Sequence, residues 1–325
     1  MTIHGADSQN PLNQGARNVS EYCLHPFRSL SHRFESHQAP NGGRWFDFGI
    51  KAEGGLEAGL ILSQGCLSNL ATPQIVDGQF GDQPWPYVQL RLDHPTEACL
   101  LSQYAGWRVS LGDFFGMLSG PIRAVAAREE LFHKLEYKEE SSFAVGVIET
   151  EQPPTEAVFQ ELSEKAGVPP AEITLFVAPT SSQAGTIQIV ARSVETAMHK
   201  LFELGFDVRR VRSAWGTAPL PPCGADFLTS LGRTNDAILY GARVHLWVSG
   251  DPEDIKALGP KVPSDASEAH GKPFREIFEE AGGDFYKIDP HLFSPAQIVI
   301  NSLETGEVFQ FGHVAPNVLK RSFGI

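Results

Sequence analysis

The sequence is poor in the residues that build metal and redox sites. Its 325 residues hold four cysteines, Cys23, Cys66, Cys99 and Cys223, all far apart. Without a C-x-x-C there is no zinc ribbon and no thioredoxin-type motif, and the thiols are expected to be reduced and mostly buried. The eleven histidines show neither H-x-x-x-H nor H-E-x-x-H spacing, so no metal site is expected. Neither G-x-G-x-x-G nor G-x-x-x-x-G-K-[ST] occurs, which disfavours dinucleotide and P-loop chemistry. No apolar run approaches the ~20 residues of a membrane span. No basic segment followed by an apolar one opens the chain, so a cytoplasmic protein is expected. Positive charge is also short: 26 Lys and Arg stand against 39 Asp and Glu, a net −13. That balance argues against nucleic acid and against an anionic membrane as partner, and is compatible with a cationic small molecule.

What is present is ordinary for a globular protein: 42% hydrophobic and 20% charged residues. The length exceeds what one core usually supports, so two domains are the default. Residues 1–40, rich in Asn, Gln, Ser, Gly and His, read as a flexible extension with at most a short helix. Beyond them strands and helices mix without strict βαβ alternation. This gives an α+β (mixed α/β) expectation rather than a doubly wound sheet. Strands are expected at 42–52, 86–95, 141–150 and 174–180, and helices at 56–70, from near Pro121, after Thr155 and at 272–283. The run 237–248 reads as two strands turning at Tyr240-Gly241-Ala242-Arg243. Arg233, Thr234, Asn235 and Asp236 then crowd a strand entry, in isolation a turn. Residues 284–288 read as a strand, and 296–314 as a hairpin turning at Glu304-Thr305-Gly306.

The most informative stretch is 185–205. Ile187, Val190, Ala191, Val194, Ala197, Met198, Leu201 and Leu204 follow the three-four spacing of one amphipathic helix, with Gly205 as its stop. Gln188, Arg192, Glu195 and His199 form one polar stripe, in which Arg192 and Glu195 can touch. Such a pair is ordinarily a solvated surface contact. Its setting differs, because an apolar run ends just before it in Thr180, Ser181 and Ser182, and a hydroxyl-rich turn into a helix start is a common ligand position. Ser119, close to the helix start at Pro121, is a second such position, or a plain cap.

Several long blocks, in order, resemble the methenyltetrahydromethanopterin cyclohydrolases: 53–67, 102–126, 177–222, 231–251 and 263–325. The resemblance runs from about Trp45 to Ile325. It implies reversible hydrolysis of the methenyl bridge of tetrahydromethanopterin to the 5-formyl derivative, with no metal or redox cofactor. It also implies two intertwined domains within 41–325 with a pocket between them, an internal boundary near 180–186, and a homotrimer. Arg192 and Glu195 match the family's R-x-x-E pattern, Glu195 as general base and Arg192 as the group orienting it or the water. Thr180, Ser181, Ser119, Arg233 and Asn235 are the implied pterin contacts, and Lys272 is a candidate for the anionic tail. The chain departs from the family at Tyr104, where archaeal members tend to carry lysine. With the N-terminal extension, this implies a bacterial relative serving one-carbon (formaldehyde) oxidation. Two alternatives stand beside this reading: a catalytically silent pterin-binding protein, and the same hydrolysis on methenyl-tetrahydrofolate.

Overall fold

The computed structural model describes residues 11–81 and 83–325. In chain order the strands are β1 (Glu35–Gln38), β2 (Arg44–Asp47), β3 (Gln74–Phe80), β4 (Gln83–Leu92), β5 (Trp107–Leu111), β6 (Phe114–Ser119), β7 (Ala144–Glu149), β8 (Ile173–Ala178), β9 (Val211–Pro219), β10 (Arg243–Val248), β11 (Gln297–Ser302) and β12 (Val308–Gly312). They form two six-stranded mixed sheets, β1-β2-β8-β7-β6-β5 and β12-β11-β10-β9-β4-β3. The fold is therefore α+β, as the pattern of elements implied. The chain crosses between the sheets three times, since β3 and β4 join the second sheet before β5 to β8 complete the first.

The helices are α1 (Leu12–Cys23), α2 (Pro26–His32), α3 (Leu56–Cys66), α4 (Ile122–Ala126), α5 (Glu130–Lys134), α6 (Glu156–Ala166), α7 (Gln183–Val190), α8 (Ser193–Glu203), α9 (Phe227–Gly241), α10 (Pro252–Leu258), α11 (Phe274–Glu280) and α12 (Pro316–Phe323), with a π helix at Thr96–Gln103. No helix among the described residues is long and apolar enough to cross a membrane.

The first sheet is covered on both faces. Phe46, Phe176, Val145 and Val147 pack with Ala16, Val19 and Leu62 of α1 and α3. Leu175, Val177 and Ile148 pack with Ile122, Val158 and Phe159 of α4 and α6. Double coverage is why β7 and β8 read as nearly continuous apolar runs. The second sheet alternates instead. Val244, Leu246 and Val248 are buried, while Arg243, His245 and Trp247 are only partly so, the pattern of a sheet with one covered face.

Three expectations fail here. Residues 12–32 are not a flexible lead-in. Leu12, Ala16, Val19 and Cys23 lie four, three and four apart and bury one face of α1. Asn13 then ties that helix to β7, its Oδ1 accepting from Val145 N at 2.8 Å and its Nδ2 donating to Glu139 at 2.9 Å. Residues 1–10 lie outside the described part. The hairpin expected at 237–248 is the end of α9 followed by one strand, β10. Asp226 caps α9 by accepting from Thr229 N at 2.8 Å, and such a capped start outranks the β-leaning Ala237–Tyr240 run. Residues 285–287 form a 3₁₀ turn rather than a strand.

Candidate active site

The helix expected over 185–204 is two helices with a corner at Ala191 and Arg192. In an unbroken helix the Ala191 carbonyl would accept from the residue-195 N–H. It accepts instead from the Gln103 side-chain amide at 3.1 Å. Arg192 takes the residue before α8, with φ −90° and ψ 10°. Gly205 closes the run in the left-handed region, φ +81°, as its position implied. Close approach on both sides holds the corner. A Cβ on Gly59 of α3 would lie 2.7 Å from Ile187 Cβ of α7. One on Gly216 of β9 would lie 2.7 Å from Ser193 Oγ and from Val194 Cγ2.

The corner turns the polar stripe inward. Gln188 is fully buried, Arg192 is 7% exposed and Glu195 5%, so this is not a solvated ion pair. The Arg192 guanidinium is gripped from several elements. Nη2 donates to Ser119 Oγ at 3.1 Å and to Glu149 Oε1 at 3.2 Å, with Cys66 Sγ at 3.9 Å. Nη1 donates to the Gln103 carbonyl and lies 3.9 Å from Glu195 Oε2. Glu149 ends β7, in register with Ala178 at the end of β8. Ser119 ends β6 opposite Val147. The site therefore sits where the carboxyl ends of the parallel strands β7 and β8, with Ser119 of the antiparallel β6 alongside, meet the α7–α8 corner, the edge at which open sheets place their ligands.

Burial pushes the Glu195 carboxyl up to about 7, against the pull of Arg192 and Arg123, with Glu149 adding to the rise. Burial raises Glu149 as well, and Arg192 opposes it. Burial works against the Arg192 charge, but Cys66 once ionised, Glu149 and Glu195 outweigh it and hold its proton more tightly than usual. The Cys66 thiol is pushed up by burial and is neutral at pH 7. Tyr104 lies flat on His199, ring centroids 4.4 Å apart, with the Arg123 guanidinium 5.1 Å from its ring centre. Its hydroxyl is pushed up to about 12 by burial.

Of the residues expected from sequence, Arg192, Glu195 and Ser119 come together. Thr180 and Ser181 form the β8–α7 turn, where the Thr180 carbonyl accepts from Thr186 at 3.4 Å and Ser181 donates to Glu151 at 3.3 Å. Arg233 and Asn235 are not in a turn but inside α9. Arg233 donates to the carbonyls of Pro222, Cys223, Ser322 and Phe323, and Asn235 to that of Leu231. Lys272 pairs with both oxygens of Glu280 at 2.7 and 2.9 Å. It lines a cavity of ≈ 470 Å³ that neither Arg192 nor Glu195 borders. Cys23, Cys66 and Cys99 are buried and Cys223 is exposed. Among the described residues no group of three or more His, Cys, Asp or Glu is placed to hold a metal ion. Sequence reasoning missed Glu149 and Gln103. The one signal for Glu149 was a carboxylate closing an otherwise buried strand.

A carboxyl raised toward neutrality beside an anchored guanidinium is an arrangement chemically suited to moving a proton. Residues 12–323 match the family model described as Cyclohydrolase (MCH), and the chain belongs to that family. It is 45% identical over 289 residues to a methenyltetrahydromethanopterin cyclohydrolase of Rhodopirellula baltica, covering 87% of each chain. A protein of the same description from Methanococcoides burtonii is 41% identical over 295 residues, 90% of this chain and 92% of that one. Another, from Methylobacillus flagellatus, is 43% identical over 286 residues, 88% and 87%.

Proposed function

We propose that the chain reversibly hydrolyses 5,10-methenyl-tetrahydromethanopterin to 5-formyl-tetrahydromethanopterin, with Glu195 as the general base. The observation that carries this reading is a buried Glu195, its carboxyl pushed up to about 7 by burial, beside Arg192, on a chain similar along most of its length to proteins of that description.

The substrate is an amidinium-like cation, with its charge shared by N5, the bridging carbon and N10. The carbon is already electrophilic, so no metal or redox cofactor enters the reaction. Water adds to it while Glu195 takes one of the water's protons. The adduct carries a hydroxyl on the former bridge. Arg192, fixed through its contacts with Ser119 and Gln103, stabilises the oxygen as charge gathers there. The C–N10 bond then breaks, N10 takes a proton from protonated Glu195, and the hydroxyl proton leaves as the formyl C=O forms. The balance is one cation and one water giving the neutral formyl compound and one proton. A base with a pKa near the working pH suits both proton transfers.

Thr180 and Ser181 in the β8–α7 turn, with Ser119, are the pterin contacts we favour. Arg233, Asn235 and Lys272 have their donors engaged within the protein, and their reading as contacts rests on the resemblance alone. Each sheet with its helices we take as one of two intertwined domains. The homotrimer, the cytoplasmic setting and service in formaldehyde oxidation belong to the same proposal. The partly exposed Trp215, His245 and Trp247 on the second sheet supply an apolar surface for association.

The test is loss of the methenyl chromophore, measured on both the methanopterin and the folate substrates. Fast loss with the first supports the reading. Faster turnover of the folate compound reassigns the substrate. Binding without turnover above background overturns the enzyme in favour of a pterin carrier.

A further inference from the structure

Two carboxylates face one guanidinium in this site, and they do so unequally. Glu149 Oε1 accepts from Arg192 Nη2 at 3.2 Å, within hydrogen-bonding distance, whereas Glu195 Oε2 stands 3.9 Å from Nη1, beyond it. The side chains of Glu149 and Arg192 are 19% and 8% exposed, so the pair is weakly screened. Glu149 reaches Arg192 from β7, across 43 residues of chain. Ser119 Oγ, from β6, holds the same nitrogen. The Nη2 side of the guanidinium is thus held by the first sheet. The Nη1 side is held by the π helix, through the Gln103 carbonyl, and faces Glu195.

We infer that Glu149 is a positioning residue: by taking the direct ion pair with Arg192 it keeps that cation off Glu195 and leaves Glu195 free to act as a base. The inference rests on the cyclohydrolase reading and deepens it. Without Glu149, a buried Arg192 has one carboxylate to pair with, and it is the catalytic one. A tight Arg192–Glu195 pair would hold Glu195 ionised but poorly basic, since an adjacent cation favours the charged carboxylate. The second carboxylate also resolves a difficulty in placing an arginine beside a cationic substrate. Arg192, Glu149 and Glu195, with both carboxyls ionised, sum to one negative charge, which attracts the substrate. Arg192 and Glu195 alone would sum to zero.

The other titratable groups around the pair do not substitute for Glu149. Arg123, from α4, lowers Glu195, and it is itself paired with Glu129. Cys66, from α3, is a neutral thiol. Cys99 in the π helix and Tyr104 at its exit both have pKa values raised by burial, with Glu195 adding to the rise. His199, one turn further along α8, is pushed down by burial and is neutral at pH 7.

The experiment compares wild type, Glu149→Gln and Glu149→Asp. It uses the pH dependence of turnover, and a ¹³C NMR titration of the Glu195 carboxyl in the protein without substrate. For Glu149→Gln we expect the acid limb of the rate profile and the Glu195 titration to move together to lower pH by about one unit. We expect kcat to fall about tenfold or more, with a smaller change in KM. Glu149→Asp withdraws the carboxylate by one methylene from Arg192 and should shift both midpoints the same way by less. It decides the matter alone if Glu149→Gln does not fold. Midpoints unmoved in the folded variants, with only thermal stability lost, overturn the inference and make Glu149 a structural ion-pair partner. A wild type without turnover sinks the cyclohydrolase reading instead, and the NMR shift still tests what Glu149 does to Glu195.

Discussion

The side-chain amide of Gln103 donates to the carbonyl of Ala191 at 3.1 Å, where an unbroken helix would have placed its own N–H. The corner between α7 and α8 is therefore held by a residue 88 positions earlier in the chain. Gln103→Ala leaves that buried carbonyl unpaired, at a cost of about 1–3 kcal/mol. Arg192 is the next residue, so turnover should fall together with the melting temperature. A variant that melts earlier with undiminished kcat would detach the corner from catalysis.

Glu195→Gln should reduce chromophore loss by about 10²–10⁴-fold, the usual effect of removing a general base. The same substitution should stabilise the fold at alkaline pH. The carboxyl is raised from its ordinary 4.5 to about 7. A raised carboxyl contributes fully below its unfolded pKa, and that contribution is lost as pH rises through the folded value. Thermal melts should show Glu195→Gln above wild type at pH 8, with the gap closed by pH 4.5. An equal gap at both pH values would mean that the carboxyl is not perturbed by folding.

Wild-type turnover should decline as pH falls through about 7, where Glu195 takes up its proton. Arg192 lowers that pKa, so Arg192→Gln should move the acid limb to higher pH while also cutting kcat. This is the opposite direction from Glu149→Gln, and the two rate profiles measured together separate the partners.

Ser119→Ala removes one of the groups that fix Arg192 Nη2. A single hydrogen bond to a charged group contributes about 1.5–3 kcal/mol, and Glu149 and Gln103 still hold the guanidinium. Single-turnover rates should therefore fall by about tenfold or somewhat more, well short of the loss in Glu195→Gln. A loss as large as that of the base would give Ser119 a direct part in the chemistry.

The contact between Arg192 and Glu195 was legible because it is local: the two are three apart in one strongly periodic stretch. What that stretch could not reveal was its own break. The apolar spacing continues through Ala191, and the Gln103 amide that holds the corner lies far away in sequence. Glu149 and Ser119 reach Arg192 across 43 and 73 residues, and a single sequence carries no measure of such distances. The strands β7 and β8 were plain because both faces are buried. β1, whose four residues are Glu35–Gln38, was not, because it lies at a sheet edge and presents no apolar face. α9 was misread for a different reason. Ala237–Tyr240 favours a strand locally, but the cap at Asp226 and the packing of α9 beside α7 and α12 decide otherwise.

The interleaving of the two sheets has a consequence for how the chain is made. β4 ends at Leu92 and its inner neighbour β9 begins at Val211, so the β3–β4 ribbon leaves the ribosome roughly 120 residues ahead of the strand that completes it. At about 5–20 residues per second the wait is on the order of ten seconds. Through that interval Leu90 and Leu92, buried in the finished fold, belong to a strand with an open edge, the kind of surface that pairs with other nascent chains. Translation speed and chaperone supply should therefore bear on the yield of this protein.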